Sequence, residues 1–319
     1  MKRRDFVAKT VYVGAALSLL GVHGCKNSDK KEESSNDVTP NKPALFFKMS
    51  LAQWSLHRAL FGNKMDHLDF AAKSRSFGLE GLEYVNGFFK DKAKDMSYLK
   101  DMNLRADSEG QQNVLIMIDG EGALANPEEK ERLKAIENHY KWVEAAQFLG
   151  CHAIRVNLAG GVDKNEAVKA SIDSLHRLSE FAKGSNISVL VENHGGFSSD
   201  GKWMTDVFSQ IENKNCGTLP DFGNFCIEKN KDGICINEYD KYQGMKELLP
   251  FAKAVSAKSY NFNEKGEDSV INYLRMMEMV KASGYTGFVG IEYEGDIQPE
   301  EKGIELTRDL LIHVGKQLS

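Results

Sequence analysis

The stretch Val189-Leu190-Val191-Glu192-Asn193-His194-Gly195-Gly196 decides the fold. It begins as an apolar, β-branched run, the pattern of a strand covered on both faces. It then turns abruptly polar and reaches two glycines that let the backbone turn. A buried strand that delivers a carboxylate to its C-terminal end reads as a site, because unpaired buried charge is costly. A glutamate salt-bridged at a rim would give the same letters. Recurrence along the chain separates the two readings.

From Ala44 onward, short β-like runs alternate with longer amphipathic ones. Strands are expected near Leu45–Leu51, Gly81–Val85, Val114–Ile118, Ala153–Asn157, Ile187–Glu192, Cys216–Asp221, Ala254–Lys258 and Phe288–Glu292. Their ends recur every 29 to 39 residues. A regular strand–helix period over eight units predicts an α/β fold, a single-domain (β/α)8 TIM barrel over 44–319. An open doubly wound sheet is the competing arrangement, but eight units over ~250 residues favour closure. The intervening helices are punctuated as this requires. Asn126-Pro127-Glu128-Glu129 offers a cap, a proline at the first helical position and acids at the positive end. Leu133, Ile136, Tyr140 and Val143 then share one face, and Gly150 closes the helix. Further helices are expected to end at Gly184 and Gly284.

The first residues read as an address. Arg3 and Arg4 precede the short apolar run Val11–Val22, which has the form of an export signal. The run is too short for a spanning helix of ~20 residues. Arg3-Arg4 with Phe6 and Lys9 resembles a twin-arginine signal, and Val22-His23-Gly24-Cys25 resembles a lipoprotein box with Cys25 as the lipidated residue. Residues 1–25 are therefore an expected export signal with a lipoprotein-type cysteine. Residues 26–43, polar and charged, suit a flexible linker. The expected location is the cell envelope, periplasmic or surface, with a lipid anchor to the membrane. Of the other cysteines, Cys151, Cys216, Cys226 and Cys235 form no C-x-x-C pair and read as free, mostly buried thiols. A Cys226–Cys235 disulfide is the alternative in an oxidising compartment. With 41% hydrophobic and 27% charged residues and a net charge of −5, the chain has ordinary globular composition and no electrostatic footprint for nucleic acid. No glycine pattern suits a dinucleotide or P-loop site.

In a TIM barrel, chemistry sits where the strands end. Those ends bring Gln53, Trp54 and His57 from the first strand, Glu83 from the second, and Asp119 and Glu121 from the third. The fourth gives Arg155 and Asn157, and the fifth Glu192, Asn193 and His194. Asp221 and Asn224 follow the sixth, Ser256 and Lys258 lie on the seventh, and Glu292 and Glu294 on the eighth. Carboxylates facing one another repel unless a cation or a shared proton offsets them. Oxygen ligands with few imidazoles point to Mg²⁺ or Mn²⁺ more than to zinc.

Val-Glu-Asn at strand five, Asp221 at strand six and Ile-Glu at strand eight resemble the xylose isomerase-like TIM-barrel family. That family includes sugar isomerases, ketose 3-epimerases, inosose dehydratases and, more distantly, endonuclease IV. The resemblance implies a divalent metal held by Glu192, Asp221 and Glu292. The family's fourth ligand, a strand-seven histidine, is replaced by Ser256. Lys258 matches a lysine frequent in the family. His194, a water or a substrate oxygen could complete a metal shell, or Lys258 could supply the positive charge in its place.

The function implied is a sugar isomerase or epimerase that abstracts a proton next to a carbonyl of a sugar or keto-sugar. Glu192 and Glu292 would act as base and acid, and Lys258 or the metal would stabilise the enediolate oxygen. Arg155, Asn157, Glu83, His57 and His194 would bind hydroxyls, with Trp54 against the apolar face of a small-molecule carbohydrate. Expulsion of a β-leaving group would instead give a lyase or dehydratase. A non-catalytic carbohydrate-binding lipoprotein is a further alternative. Nucleic-acid cleavage needs several histidines, whereas only His194 lies directly at a strand end.

Overall fold

The protein is described by a computed structural model over residues 44–319. Arg3, Arg4, Cys25 and the expected linker lie outside the described residues. The strands are β1 (Lys48–Ala52), β2 (Gly81–Val85), β3 (Gln112–Met117), β4 (Ala153–Val156) and β5 (Ser188–Glu192). They continue with β6 (Cys216–Leu219), β7 (Cys226–Lys229), β8 (Cys235–Glu238), β9 (Val255–Ser259) and β10 (Phe288–Tyr293). Eight of them form one parallel sheet in the order β6-β5-β4-β3-β2-β1-β10-β9. Isolated parallel bridges at Thr218–Ala252 and Asp221–Ser256 join its two ends. Ser256 N donates to Pro220 O at 2.9 Å, and Phe222 N to Ser256 O at 3.1 Å. The result is the (β/α)8 barrel expected from the strand period.

Strand alternation divides the core in two. Outward positions such as Val189, Val191, Val255, Ala257, Val289 and Ile291 pack between barrel and helices. Inward positions include Ala52, Val85, Leu115, Met117, Ala153 and Leu190, which fill the barrel axis. The same alternation sends Glu83, Arg155, Glu192, Ser256, Lys258 and Glu292 inward near the strand ends.

Several boundaries differ from expectation. β1 starts at Lys48 because Phe46 and Phe47 lie in a bend, their rings edge-to-face at 4.9 Å. β6 stops at Leu219, before Pro220, which has no N–H to continue the ladder. The helix after Asn126 begins at Glu129, two residues past the expected start. Asn126 Oδ1 instead accepts from Glu128 N at 2.9 Å in the turn ahead of the helix. Gly150 does end that helix, in the left-handed region at φ 75°.

The hairpin β7–β8 has no counterpart in the strand period. It follows the sixth barrel strand, and Cys226 and Cys235 within it form a disulfide. This corrects the reading of those two residues as free thiols. Cys151 and Cys216 are free and buried, as expected.

Candidate active site

Arg155 and Lys258 are the cations at the strand ends, and each is almost fully buried. Arg155 Nη1 donates to Asp119 Oδ1 at 2.7 Å and to Asn157 Oδ1 at 3.1 Å. Asn157 Nδ2 donates to the same Asp119 oxygen at 2.7 Å. The Arg155 charge holds the Asp119 carboxyl well below the usual carboxylate range. Arg155 Nε also lies 2.8 Å from Glu192 Oε2, as an ion pair without hydrogen-bond alignment. The other Glu192 oxygen accepts from Asn224 Nδ2 at 3.0 Å. Burial outweighs these partners and pushes Glu192 up to about 7.

Lys258 Nζ lies 3.4 Å from Glu292 Oε1 and 3.1 Å from Glu294 Oε2. Burial disfavours its charge, but Asp221, Glu292, Glu294 and Glu192 outweigh that and hold the ammonium well above its ordinary pKa. Burial likewise disfavours the Glu292 charge. Lys258 and then Arg155 reverse the balance and lower it.

Ser256 stands on β9 where the resemblance implies a histidine. Its hydroxyl lies 2.6 Å from Asp221 Oδ2 and 2.9 Å from Glu292 Oε2. One hydroxyl carries one proton, so it can donate to only one of them at a time. A proton on Asp221, donated to Ser256 Oγ, completes the chain toward ionised Glu292. The environment favours that arrangement, because burial raises Asp221 to about 8. Asp221 Oδ1 accepts the backbone N–H groups of Gly223 and Asn224 at 2.9 and 2.8 Å.

Glu83 lies deeper on the axis, where Ser50 Oγ donates to its Oε1 at 2.5 Å. Its Oε2 has no hydrogen-bond partner among the described residues. Burial pushes this carboxyl up to about 8. Gly290 on β10 leaves the necessary room, since a Cβ there would stand 2.5 Å from both carboxylate oxygens.

One cavity of about 790 Å³ opens above these groups. Its inner end is Lys258, flanked by Asn224, His194 and Glu294, and Trp54 forms part of its wall. Glu192, Asp221 and Glu292, each at most 4% exposed, cluster beside Lys258 without lining the cavity, Glu292 at 3.4 Å from its ammonium. Of the residues expected to contact a sugar, Trp54 and His194 line the cavity, whereas Glu83, Arg155 and Asn157 do not: Arg155 and Asn157 are engaged by Asp119, and Glu83 by Ser50. His57 and Glu121 are also placed elsewhere. His57 stacks on Trp54 at 4.9 Å and its Nδ1 bonds Trp54 O at 2.7 Å, so the ring does not line the cavity. Glu121 turns away to Trp142 Nε1 at 2.6 Å and Lys141 Nζ at 2.8 Å, a packing role. Sequence reasoning had not assigned Asn224 its bond to Glu192, nor Tyr260, Asn261 and Asp296 their places in the cavity wall. The hairpin residues of that wall were equally unforeseen, although Lys231-Asp232-Gly233 between two Cys-Ile pairs is a legible turn signal.

One oxygen each from Glu192, Asp221 and Glu292 lies within 4.8 Å of the others. This buried, all-oxygen set fits a hard divalent cation. The proton that Asp221 otherwise needs is the charge such a cation would displace. His194 is not part of the cluster.

The sequence matches the family model described as Xylose isomerase-like TIM barrel over residues 71–312. Among solved structures, D-psicose 3-epimerase from Clostridium cellulolyticum H10, crystallised with D-tagatose, is similar at a TM-score of 0.64 and 14% identity. The match covers 84% of this chain and 99% of that one. The 3-keto-D-glucoside 4-epimerase of E. coli matches at 0.61 and 14% identity, over 77% and 94%. A xylose isomerase-like TIM barrel protein from Mycobacterium smegmatis in complex with magnesium matches at 0.62 and 13% identity, over 85% and 97%. Likenesses at such identity establish the fold alone. The comparison with curated proteins finds no match.

Proposed function

The chain belongs to the xylose isomerase-like TIM-barrel family, and on that premise we propose that it is an enzyme moving a proton next to the carbonyl of a sugar or keto-sugar. The observation that carries this reading is the inner end of the cavity. The buried Lys258 ammonium there pairs with Glu292, and Glu192 and Glu292 are driven in opposite directions, Glu192 up to about 7 and Glu292 down. Groups pushed apart in this way suit general acid and general base.

Glu292, ionised against Lys258, is the better base. Glu192, balanced near neutrality, is the better acid, reversing the expected order of the pair. The Lys258 ammonium faces the cavity and would donate to the carbonyl oxygen as negative charge develops. Asn224, His194 and Glu294 flank that position and would bind hydroxyls, with Trp54 against an apolar sugar face. A divalent cation held by Glu192, Asp221 and Glu292, Mg²⁺ or Mn²⁺ rather than zinc, would supply Lewis-acid polarisation of a substrate oxygen. Return of the proton gives an isomer or epimer, and loss of a β-leaving group gives a lyase product.

The test is incubation with a panel of keto-sugars in D2O. Deuterium at the carbon next to the carbonyl is the expected result, and product analysis then separates epimerisation from elimination. Metal analysis and chelation on the same protein, with Asp221→Asn beside it, report on the cation. Full activity after exhaustive chelation removes it from the mechanism. Failure to exchange any sugar in the panel, with or without added Mg²⁺ or Mn²⁺, counts against the enzyme.

We also propose that the protein is exported and lipid-anchored through Cys25. The Cys226–Cys235 disulfide supports this reading, because such bonds persist in oxidising compartments.

A further inference from the structure

The cavity exceeds what one sugar ring needs. A hexose has about a dozen non-hydrogen atoms, and even at the ~30 Å³ share of a liquid water for each it fills under half of the space, which measures about 790 Å³. Lys258 is the buried end of its lining, and the more exposed lining comes from the β7–β8 hairpin, with Cys226, Lys229 and Glu238, and from Asn261 and Asp296 in the loops that follow β9 and β10. The room beyond one ring at Lys258 is therefore on that exposed side.

The hairpin is built as a wall. Its strands are tied by the Cys226–Cys235 disulfide. At its root Phe225 is fully buried, and Tyr239 N donates to Phe225 O at 2.8 Å. Asn224 O accepts from Ser199 Oγ at 2.7 Å and from Asn193 Nδ2 at 3.2 Å. Asn224 also donates to Glu192, so one residue joins the outer wall to the inner site.

The lining chemistry selects among ligands. Lys229, Lys241 and Lys258 are matched in number by Glu238, Glu294 and Asp296. No net positive charge remains to attract a phosphate. Donors and acceptors together, with an indole at Trp54, suit a neutral polyol ring.

We infer that the outer half of the cavity is a subsite for a second sugar ring, so that the substrate is a glycoside or disaccharide carrying the reacting keto-sugar. This rests on the reading of the inner site as a keto-sugar enzyme.

The experiment compares a hexose oxidised to a ketone at a ring carbon other than the anomeric one, its phosphate ester, and a disaccharide with that same keto-sugar as its non-reducing ring, where the ketone stays free. Each is followed by deuterium exchange in D2O. The full-length protein should show kcat/KM at least tenfold higher for the disaccharide, carried by KM. Replacing residues 226–238 with a short Gly-Ser link should bring the ratio to within twofold. Asp296→Ala, which leaves the hairpin in place, should cost the disaccharide at least fivefold more than the monosaccharide. Equal kcat/KM for the two sugars in wild type overturns the subsite while leaving the proposed reaction standing. So does a preference that survives both variants, or a preference for the phosphate ester. If no sugar exchanges, the reaction itself fails, and calorimetry with the same sugars decides the subsite. Tenfold tighter disaccharide binding then supports it, and equal binding overturns it.

Discussion

Glu83 shows what a buried carboxyl does when one oxygen is satisfied and the other is not. Ser50 holds Oε1, Oε2 has no partner among the described residues, and burial raises the pKa to about 8. A raised folded-state pKa favours the protonated form. The stability it contributes is full below the unfolded value of ~4.3 and is lost as pH rises toward the folded value. Glu83→Gln should therefore match wild type near pH 4 and melt higher than wild type near pH 9. A variant that melts lower at both pH values would contradict a protonated Glu83. The inward carboxylates were legible because each ends an apolar β-branched run, and strand alternation fixes the face. The roles of Ser256 and Asn224 were not legible. Serine and asparagine are ordinary at strand ends, and only the fold brings Ser256 between Asp221 and Glu292. His57 misled because sequence proximity to Trp54 does not say which side of the ring it stacks on.

At the scale of elements, eight strand positions could be read from the period alone, to within a few residues. The boundaries moved where local chemistry intervened, as at Pro220 and at the bend before Lys48. The β7–β8 hairpin escaped because the barrel period absorbed its residues into one long connection. Its faces carry exposed Ile234 and Ile236, so no apolar alternation marks a buried side. The hairpin has few buried contacts of its own, and such elements open locally before the whole domain does. The disulfide is its internal tie. Reduction should expose the hairpin to trypsin at Lys229 or Lys231 while the barrel stays intact, and the oxidised protein should resist. Equal cleavage rates in both states would show that the disulfide does not brace this wall.

At the scale of the molecule, the inward-facing charged residues of the barrel strands, Glu83, Arg155, Glu192, Lys258 and Glu292, gather near the strand ends. The expected address in residues 1–25 lies outside the described residues, and its test is direct. Cys25→Ala should move folded protein from the membrane fraction to the soluble fraction, and unchanged fractionation would refute the anchor. For the chemistry, the decisive residue is Lys258, the buried cation that lines the cavity and pairs with Glu292 and Glu294. Loss of one preorganised donor to developing charge typically costs ~2.7–4 kcal/mol of transition-state stabilisation, or about a hundred- to a thousandfold in turnover. The measurement is deuterium exchange into a keto-sugar and thermal melting on the same sample of Lys258→Met. Exchange reduced by that factor, with the fold and most ground-state binding retained, is the predicted result. A destabilised Lys258→Met that exchanges at the wild-type rate would contradict it and leave Lys258 a structural partner of Glu292 and Glu294.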